Sequence, residues 1–356
     1  MLEHFLCENC AVYYTIIMRT KQRNSLLYFT LNTTVRYNSR VHLEKFMLSQ
    51  MNGVGQSHAK AILIGEHAVV YGEPAIAIPL PNMTVTATLR PAFRGQTIDG
   101  AEFHGDLSEL GANVEGIRQL LLRLINKFKM TNVPFLLSIE SNVPQERGFG
   151  ASAALATAIT RAFFDYFNTT LSNTELNYFT NIEEVISHGS PSGLDATTVN
   201  SSNPIWFIKN KTMEKFEMNL SGTLVLADTG IHGQTVHAVS IVKEFLINDQ
   251  ERAWSTISHL GQIAEKIRID ISENNPEHLG MMFTAAHHEL QSLGISHPKL
   301  DKLVNAANHA GALGAKLTGA GIGGAMFALA RNNNDAIAIA NALNKAGAQN
   351  TWIQPL

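Results

Sequence analysis

The stretch Val143-Pro144-Gln145-Glu146-Arg147-Gly148-Phe149-Gly150-Ala151-Ser152-Ala153-Ala154 puts two glycines and a serine between two regular-looking runs. Before it lies an apolar run, Phe135 to Ile139. After it a helical run continues through Ala158, Arg161 and Phe164 to Phe167 without Gly or Pro. Strand, glycine loop, helix is an arrangement that holds phosphate. Gly148 and Gly150 let bare backbone N–H groups approach an anion, and the start of the helix adds the positive end of its dipole. Ser152 falls in the first turn, where its hydroxyl can meet a phosphate-bound Mg²⁺. A lone Gly-x-Gly is more often an ordinary loop with a serine cap, so the reading depends on what accompanies it.

Four further segments do. Ser57-His58-Ala59-Lys60-Ala61-Ile62-Leu63-Ile64-Gly65-Glu66-His67-Ala68-Val69-Val70-Tyr71-Gly72 lies upstream, and Lys316-Leu317-Thr318-Gly319-Ala320-Gly321-Ile322-Gly323-Gly324 far downstream. With the 144–154 loop these resemble, in order, the three motifs of the GHMP kinases, over roughly residues 55–330. Gly65-Glu66-His67 followed by Ala68 to Gly72 is similar to the mevalonate kinase branch, as are Glu184 to Asp195 and Ala227 to Thr235. The resemblance implies ATP-dependent phosphorylation of (R)-mevalonate to 5-phosphomevalonate, with ATP and Mg²⁺ as cofactors. Phosphomevalonate kinase and homoserine kinase are the alternatives within the family. Around Asp195 and Thr235 the chain offers His188 and His232 but no Lys or Arg for a second phosphate, which leans towards the unphosphorylated substrate.

Moving a γ-phosphoryl group to an alcohol requires neutralised phosphate charge, an aligned hydroxyl and an acceptor for its proton. The resemblance assigns nucleotide binding to Pro144 through Ala154 together with Gly319 and Gly321. It makes Ser152 and Glu184 the magnesium ligands, a hydroxyl and a carboxylate being the hard oxygen donors that ion takes. Asp195, after a Pro-Ser-Gly turn that can aim a carboxylate, is the expected catalytic base, and Lys60 its partner by family analogy. An ammonium there supports the carboxylate's charge and stabilises a developing alkoxide. A charge inside Ala59-Lys60-Ala61-Ile62-Leu63-Ile64 also argues against a lysine merely reaching solvent. Glu66 and His67 carry over as substrate-side residues, and Thr235 as a hydroxyl that positions substrate or Lys60.

Two departures stand out. Phe149 and Ala151 replace the Leu and first Ser of the commoner Gly-Leu-Gly-Ser-Ser, leaving Ser152 alone for the metal. Ile322 interrupts the run of glycines in the third motif, so its side chain must turn from the cleft or the loop is remodelled. Gly148-x-Gly150-x-x-Ala153 and Gly319-x-Gly321-x-x-Gly324 loosely match a dinucleotide-binding oxidoreductase. The acidic residue such a site needs ~20 positions on is missing: Asp165 falls inside the helix and Glu184 lies too far along. No Gly-Lys-Ser/Thr follows either loop, which excludes a Walker-type NTPase. A non-catalytic sensor of the same fold is countered by Lys60, Ser152, Glu184 and Asp195 occurring together.

The elements that must position these residues follow from periodicity. Ala59 to Ile64, Ala75 to Pro79, Thr84 to Leu89, Ile205 to Ile208, Thr223 to Ala227, Ala315 to Leu317 and Met326 to Leu329 read as strands. Asn210-Lys211 suits a hairpin turn. Asn113 to Met130 reads as an amphipathic helix, and Thr235–Ile247, Glu251–Ile271 and Pro276–Leu293 as further helices. His287 and His288, in the last of these, read as solvated or core-edge residues. Strands grouped early and helices grouped late argue for α+β. The resemblance implies the same: a two-domain GHMP-kinase-like fold, with the active site in the cleft between an N-terminal and a C-terminal α+β domain, here 51–220 and 221–356. Residues 1–50 match nothing and show no sustained period. They are expected to be disordered or a misread start, with Met47 and Met51 just before the first motif.

Bulk properties fit this frame. Hydrophobic content of 45% and a net charge of −3 describe a globular protein with no Lys/Arg tract, which excludes nucleic acid and anionic membrane as main partners. No apolar run approaches the ~20 residues of a membrane span. Cys7 and Cys10 are spaced as a redox or zinc half-site but have no second pair, and the body of the chain fits a reducing cytoplasm. The expected partner is a small-molecule substrate, with room for a homodimer.

Overall fold

The computed structural model describes the backbone of 14–19 and 26–31, and then residues 52–101, 103–111, 114–145, 147–188, 192–233 and 235–356. Expectations resting on Cys7, Cys10, Met47, Met51, Glu146, Gly189 to Pro191 and the side chain of His188 lie outside the described residues. The chain forms two compact units, 1–52 and 53–356. In the first, β1 (Tyr14–Arg19) and β2 (Leu26–Leu31) pair antiparallel, regular backbone where the sequence shows no period.

In the second unit, β3 (Gly53–Ile64) and β4 (Ala75–Pro91) form a long antiparallel ribbon. It is the centre of a sheet that, among the described residues, has seven strands. The others are β5 (Gln96–Asp99), β6 (His104–Asp106), β7 (Phe135–Ser141), β8 (Ile205–Ile208) and β9 (Thr212–Lys215). Asn210, at φ 61°, turns the β8–β9 hairpin. The two strands expected over 75–79 and 84–89 are one strand, a correction with a local cause. The register slips between His58, opposite Thr84, and Ala59, opposite Leu80, so Pro81 falls where β3 asks for no N–H donor. The bulge also ties the two sheets together: Asn82 N–H donates to Gln354 Oε1 at 3.1 Å, and Asn82 Nδ2 to Ile353 O at 3.1 Å.

Helix α1 (Glu115–Lys127) buries Ile117, Leu120, Leu121 and Leu124, as its spacing predicts. Helix α2 (Ala151–Tyr166) lies directly on β3. A Cβ on Gly55 would sit 2.0 Å from Ala158 O, so only glycine admits a helix this close, and α2 answers with alanines. Helices α3 (Asn173–His188) and α4 (Leu194–Thr198) follow. A second, four-stranded sheet runs β11-β12-β10-β13, all antiparallel: β10 (Thr223–Asp228), β11 (Gly314–Thr318), β12 (Ala325–Ala330) and β13 (Asn350–Pro355).

The remaining helices are α5 (Thr235–Asn248), α6 (Gln250–Ser272), α7 (Pro276–Ser292), α8 (Pro298–His309) and α9 (Asn333–Ala346). The fold is α+β, but late strands alternate with late helices, so strands are not confined to the first half. Helix α9 was not legible because alanines carry half of its buried positions, Ala336 and Ala340 beside Ile339 and Leu343. His287 is also corrected. It is buried, accepting Leu317 N–H at Nδ1 (3.4 Å) with Nε2 3.2 Å from Asp301, while His288 is exposed.

Candidate active site

Lys60 sits in the middle of β3, nearly buried, and its backbone N–H donates to Phe149 O at 3.0 Å. That bond hangs the glycine loop on the strand. The Phe149 ring is wholly buried, edge-on to Trp352 with centroids 5.9 Å apart, so the residue in place of the family's Leu anchors the loop by packing. Gly150, at φ 66°, caps α2 without a side chain, and a Cβ there would lie 2.8 Å from Lys60 Cγ. Glycine here makes room for the lysine as much as for an anion.

Lys60 Nζ meets Asp195 Oδ1 at 2.9 Å, with the lysine side chain 6% and the aspartate 38% exposed. Local structure aims the carboxylate. Gly193, at φ 74°, starts the one-turn α4, and Leu194 plugs into a small cluster with Ala77, Ile205 and Phe207. Ser57 Oγ donates to Val199 O at 3.2 Å and fastens the far end of α4 to β3. Asp195 therefore stands between a buried neighbour and an accessible face.

Glu184, on α3, is buried, and its Oε1 has no hydrogen-bond partner among the described residues. Burial foremost, then the Asp195 charge, pushes its carboxyl up to about 8, and Lys60 draws it back only in part. A buried, under-compensated carboxylate fits a hard cation. Ser152 supplies a hydroxyl in the first turn of α2 that makes no hydrogen bond among the described residues. Among those residues, no group of three or more His, Cys, Asp or Glu side chains could hold a metal unaided. Mg²⁺ suits such a sparse donor set, because it takes one or two protein ligands and completes its shell with phosphate and water.

The rest of the 144–154 segment divides by exposure. Pro144, Gln145, Gly148, Gly150 and Ser152 are accessible, while Phe149, Ala151, Ala153 and Ala154 are buried. Arg147 is engaged within the protein: its Nε donates to Asp228 Oδ1 at 2.8 Å, both residues buried. Asp228 Oδ1 also accepts Gly230 N–H at 2.8 Å, so this ion pair clamps the loop to the end of β10. Removing one partner of a buried pair typically costs about 3–5 kcal/mol. Asp228→Ala is expected near the lower end, since Arg147 keeps a contact to Gln145 O, and urea unfolding of the two proteins measures it.

The third motif closes on the second. A Cβ on Gly148 would lie 3.2 Å from Gly319 Cα, so the two loops touch through glycine. Gly321, by contrast, is pressed on Ile295 O, which a Cβ would approach to 2.1 Å; its glycine serves packing. Ile322 takes a left-handed φ of 55°, donates its N–H to Ile295 O at 2.8 Å and packs its side chain against the core.

The structure places the three substrate-side candidates differently. Glu66 is buried and ion-paired with Lys316 Nζ. Burial raises its pKa and Lys316 opposes the rise. Thr235 is exposed at the start of α5, and no hydrogen bond joins it to Lys60 among the described residues. His67, at φ 59°, donates from Nε2 to Ala320 O at 2.8 Å, and burial lowers its pKa against the pull of that bond. Lys316 and Asp228 were not singled out as site residues from sequence, and Phe149 was expected at the nucleotide rather than in the core. For Lys316 the signal was the one that marked Lys60, a charge inside an apolar run.

Residues 114–201 match the GHMP kinases N terminal domain, and residues 267–349 the GHMP kinases C terminal region. A mevalonate kinase of Pyrococcus furiosus is 32% identical over 311 residues, 82% of this chain and 92% of that protein. The chain belongs to the mevalonate kinase family of GHMP kinases. A solved mevalonate kinase from methicillin-resistant Staphylococcus aureus superposes on this family member with a TM-score of 0.71 at 32% identity, covering 86% of this chain and 99% of the other. The L. major mevalonate kinase, solved in complex with R-mevalonate, gives 0.74 at 25% identity, covering 85% and 96%. This GHMP kinase is thus a phosphotransferase, and GHMP kinases use ATP. No helix among its described residues is long and apolar enough to cross a membrane.

Proposed function

We propose that the protein transfers the γ-phosphoryl group of ATP to (R)-mevalonate, giving 5-phosphomevalonate. The observation that carries this is the Lys60–Asp195 pair at 2.9 Å, half-open to solvent, on a strand hydrogen-bonded to the glycine loop. The names of the relatives, and the R-mevalonate held by the L. major protein, support the substrate.

In this reading Asp195 accepts the proton of the attacking hydroxyl, and Lys60 orients the carboxylate and stabilises the alkoxide as it forms. The backbone of Gly148 and the first turn of α2 receive the phosphates, with the helix dipole favouring their charge. Ser152 and Glu184 would hold Mg²⁺. Mg²⁺–ATP would supply the phosphoryl group, and the cation would neutralise part of the phosphate charge. The loose transition state leaves the chain mainly positioning and electrostatic work. His67, buried and hydrogen-bonded to Ala320 O, and the exposed Thr235 are the substrate-side residues of this reading.

A panel of mevalonate, phosphomevalonate, homoserine and galactose with Mg²⁺–ATP, measuring ADP release, tests the reading. Turnover is expected with mevalonate, and preference for another acceptor would reassign the substrate within the family. Ser152→Ala is expected to raise the Mg²⁺ concentration needed for half-maximal rate and to leave the melting temperature unchanged. Gly150, not Ser152, caps the helix, so the ~1 kcal/mol that a lost cap costs is not at stake. An unaltered magnesium titration would remove Ser152 from the metal site.

A further inference from the structure

Lys316 and Glu66 form an ion pair deep inside the second unit, their side chains 0% and 1% exposed. Lys316 Nζ also donates to Leu317 O at 2.7 Å and lies 4.8 Å from the centre of the Phe327 ring. A pair this deep is a poor device for stability, because apolar side chains of similar volume often do as well or better. Its place in the chain points elsewhere. Glu66 lies between Gly65 at φ 101° and His67 at φ 59°. For histidine that backbone is uncommon and must be held by surrounding structure.

Three contacts hold it, all from β11 and the loop after it. Lys316 grips Glu66, Ala320 O accepts from His67 Nε2 at 2.8 Å, and Thr318 Oγ1 donates to Ile62 O at 2.9 Å. Ile62 is two residues from Lys60 on the same strand, and Gly319, between Thr318 and Ala320, touches Gly148 of the phosphate loop. His287, packed beside Lys316, stays neutral: burial foremost, with the Lys316 charge adding to it, holds it at about 4 against the pull of Asp301. It adds no second cation to the pair.

We propose that Lys316 is a positioning residue for phosphoryl transfer. Through Glu66 it holds the 65–67 turn in its left-handed shape and keeps the Lys60 strand in register with the two glycine loops. The inference rests on the phosphoryl-transfer reading above. It predicts that both charges can be removed without unfolding the protein, yet not without misplacing Lys60 relative to the phosphates. Misplacement on the order of 1 Å can cost about 10²-fold in rate.

The test uses the full chain, with ADP release measured at varied mevalonate and varied ATP beside thermal melting. The Lys316→Met/Glu66→Leu double variant is expected to melt at or above wild type. Its kcat is expected to fall about 10- to 100-fold, with both KM values within about twofold of wild type. A double variant that folds and keeps wild-type kcat overturns the proposal. So does a raised KM for mevalonate at unchanged kcat, which would make Glu66 a substrate contact. Should the double variant fail to fold, Thr318→Val decides: it removes only the tie to Ile62. A fall in its kcat of about three- to tenfold at unchanged KM supports positioning, and wild-type kcat overturns it. Wild-type protein that releases no ADP sinks the phosphoryl-transfer reading itself, and this inference with it. An active wild type with an equally active, folded double variant sinks only the inference.

Discussion

Asp195→Asn is expected to lower kcat by on the order of 10²–10⁴-fold, the usual span for a general base, while ATP binding persists. Asparagine keeps the shape of the side chain but loses the charge and the capacity to take the hydroxyl proton. A loose transition state asks for little proton removal early, which favours the low end of that span. Stability should barely move. The aspartate is 38% exposed, so solvent screens its side of the pair, and the asparagine amide oxygen can still accept from the nearly buried Lys60 ammonium. Activity and folding therefore separate in this variant. Lys60→Met tests the same unit from the other side, and the double variant should lose less than the product of the two single losses if the residues act together. Near-wild-type turnover of Asp195→Asn with both substrates saturating would end its assignment as base.

Glu184→Gln should be nearly as damaging to turnover and opposite in its effect on the metal-free fold. Loss of an outer-shell partner of a metal ligand costs about 10- to 100-fold, and loss of a ligand itself should cost at least that. Without metal, however, the carboxylate is a burden. Its carboxyl is pushed from 4.5 to about 8 by burial and by Asp195. The folded state therefore binds the extra proton, and metal-free stability falls as pH rises from about 4.5 through about 8. Glutamine carries no such charge. The melting temperature of metal-free wild type should drop between about pH 6 and about pH 8.5, and that of Glu184→Gln should drop less. Added Mg²⁺ with a nucleotide should restore wild type most at the alkaline end. Equal pH slopes, or an equal response to Mg²⁺, would remove Glu184 from the metal site.

Legibility followed the range of the interaction. The glycine loop between Phe135–Ser141 and Ala151–Tyr166, the Asn210 hairpin and the α1 stripe were readable because a few neighbouring residues decide them. Strand ends moved by a few residues, as when β4 ran on past Pro79 and Pro81. Whether a proline stops a strand depends on the register of the partner opposite it, here the slip at His58–Ala59. Helix α9, half of whose buried face is alanine, has the helical period but too little hydrophobic contrast for it to show.

Within the site, the amino-acid sequence by itself determined which groups are present: Lys60 inside an apolar strand, a carboxylate after a Pro-Ser-Gly turn, and glycines where bare amides can meet an anion. Which of them face one another was settled by tertiary structure. Asp195 stands on Lys60, but Glu66 turned inward to Lys316, 250 positions along the chain. Arg147, which reads as a phosphate ligand in a glycine loop, is buried against Asp228, and Phe149 anchors the loop on Trp352. A buried charge must find a counter-charge or change its protonation, and a buried ring must find a cavity. Both partners come from packing elements distant in the chain, so no local pattern around Glu66, Arg147 or Phe149 could have named them.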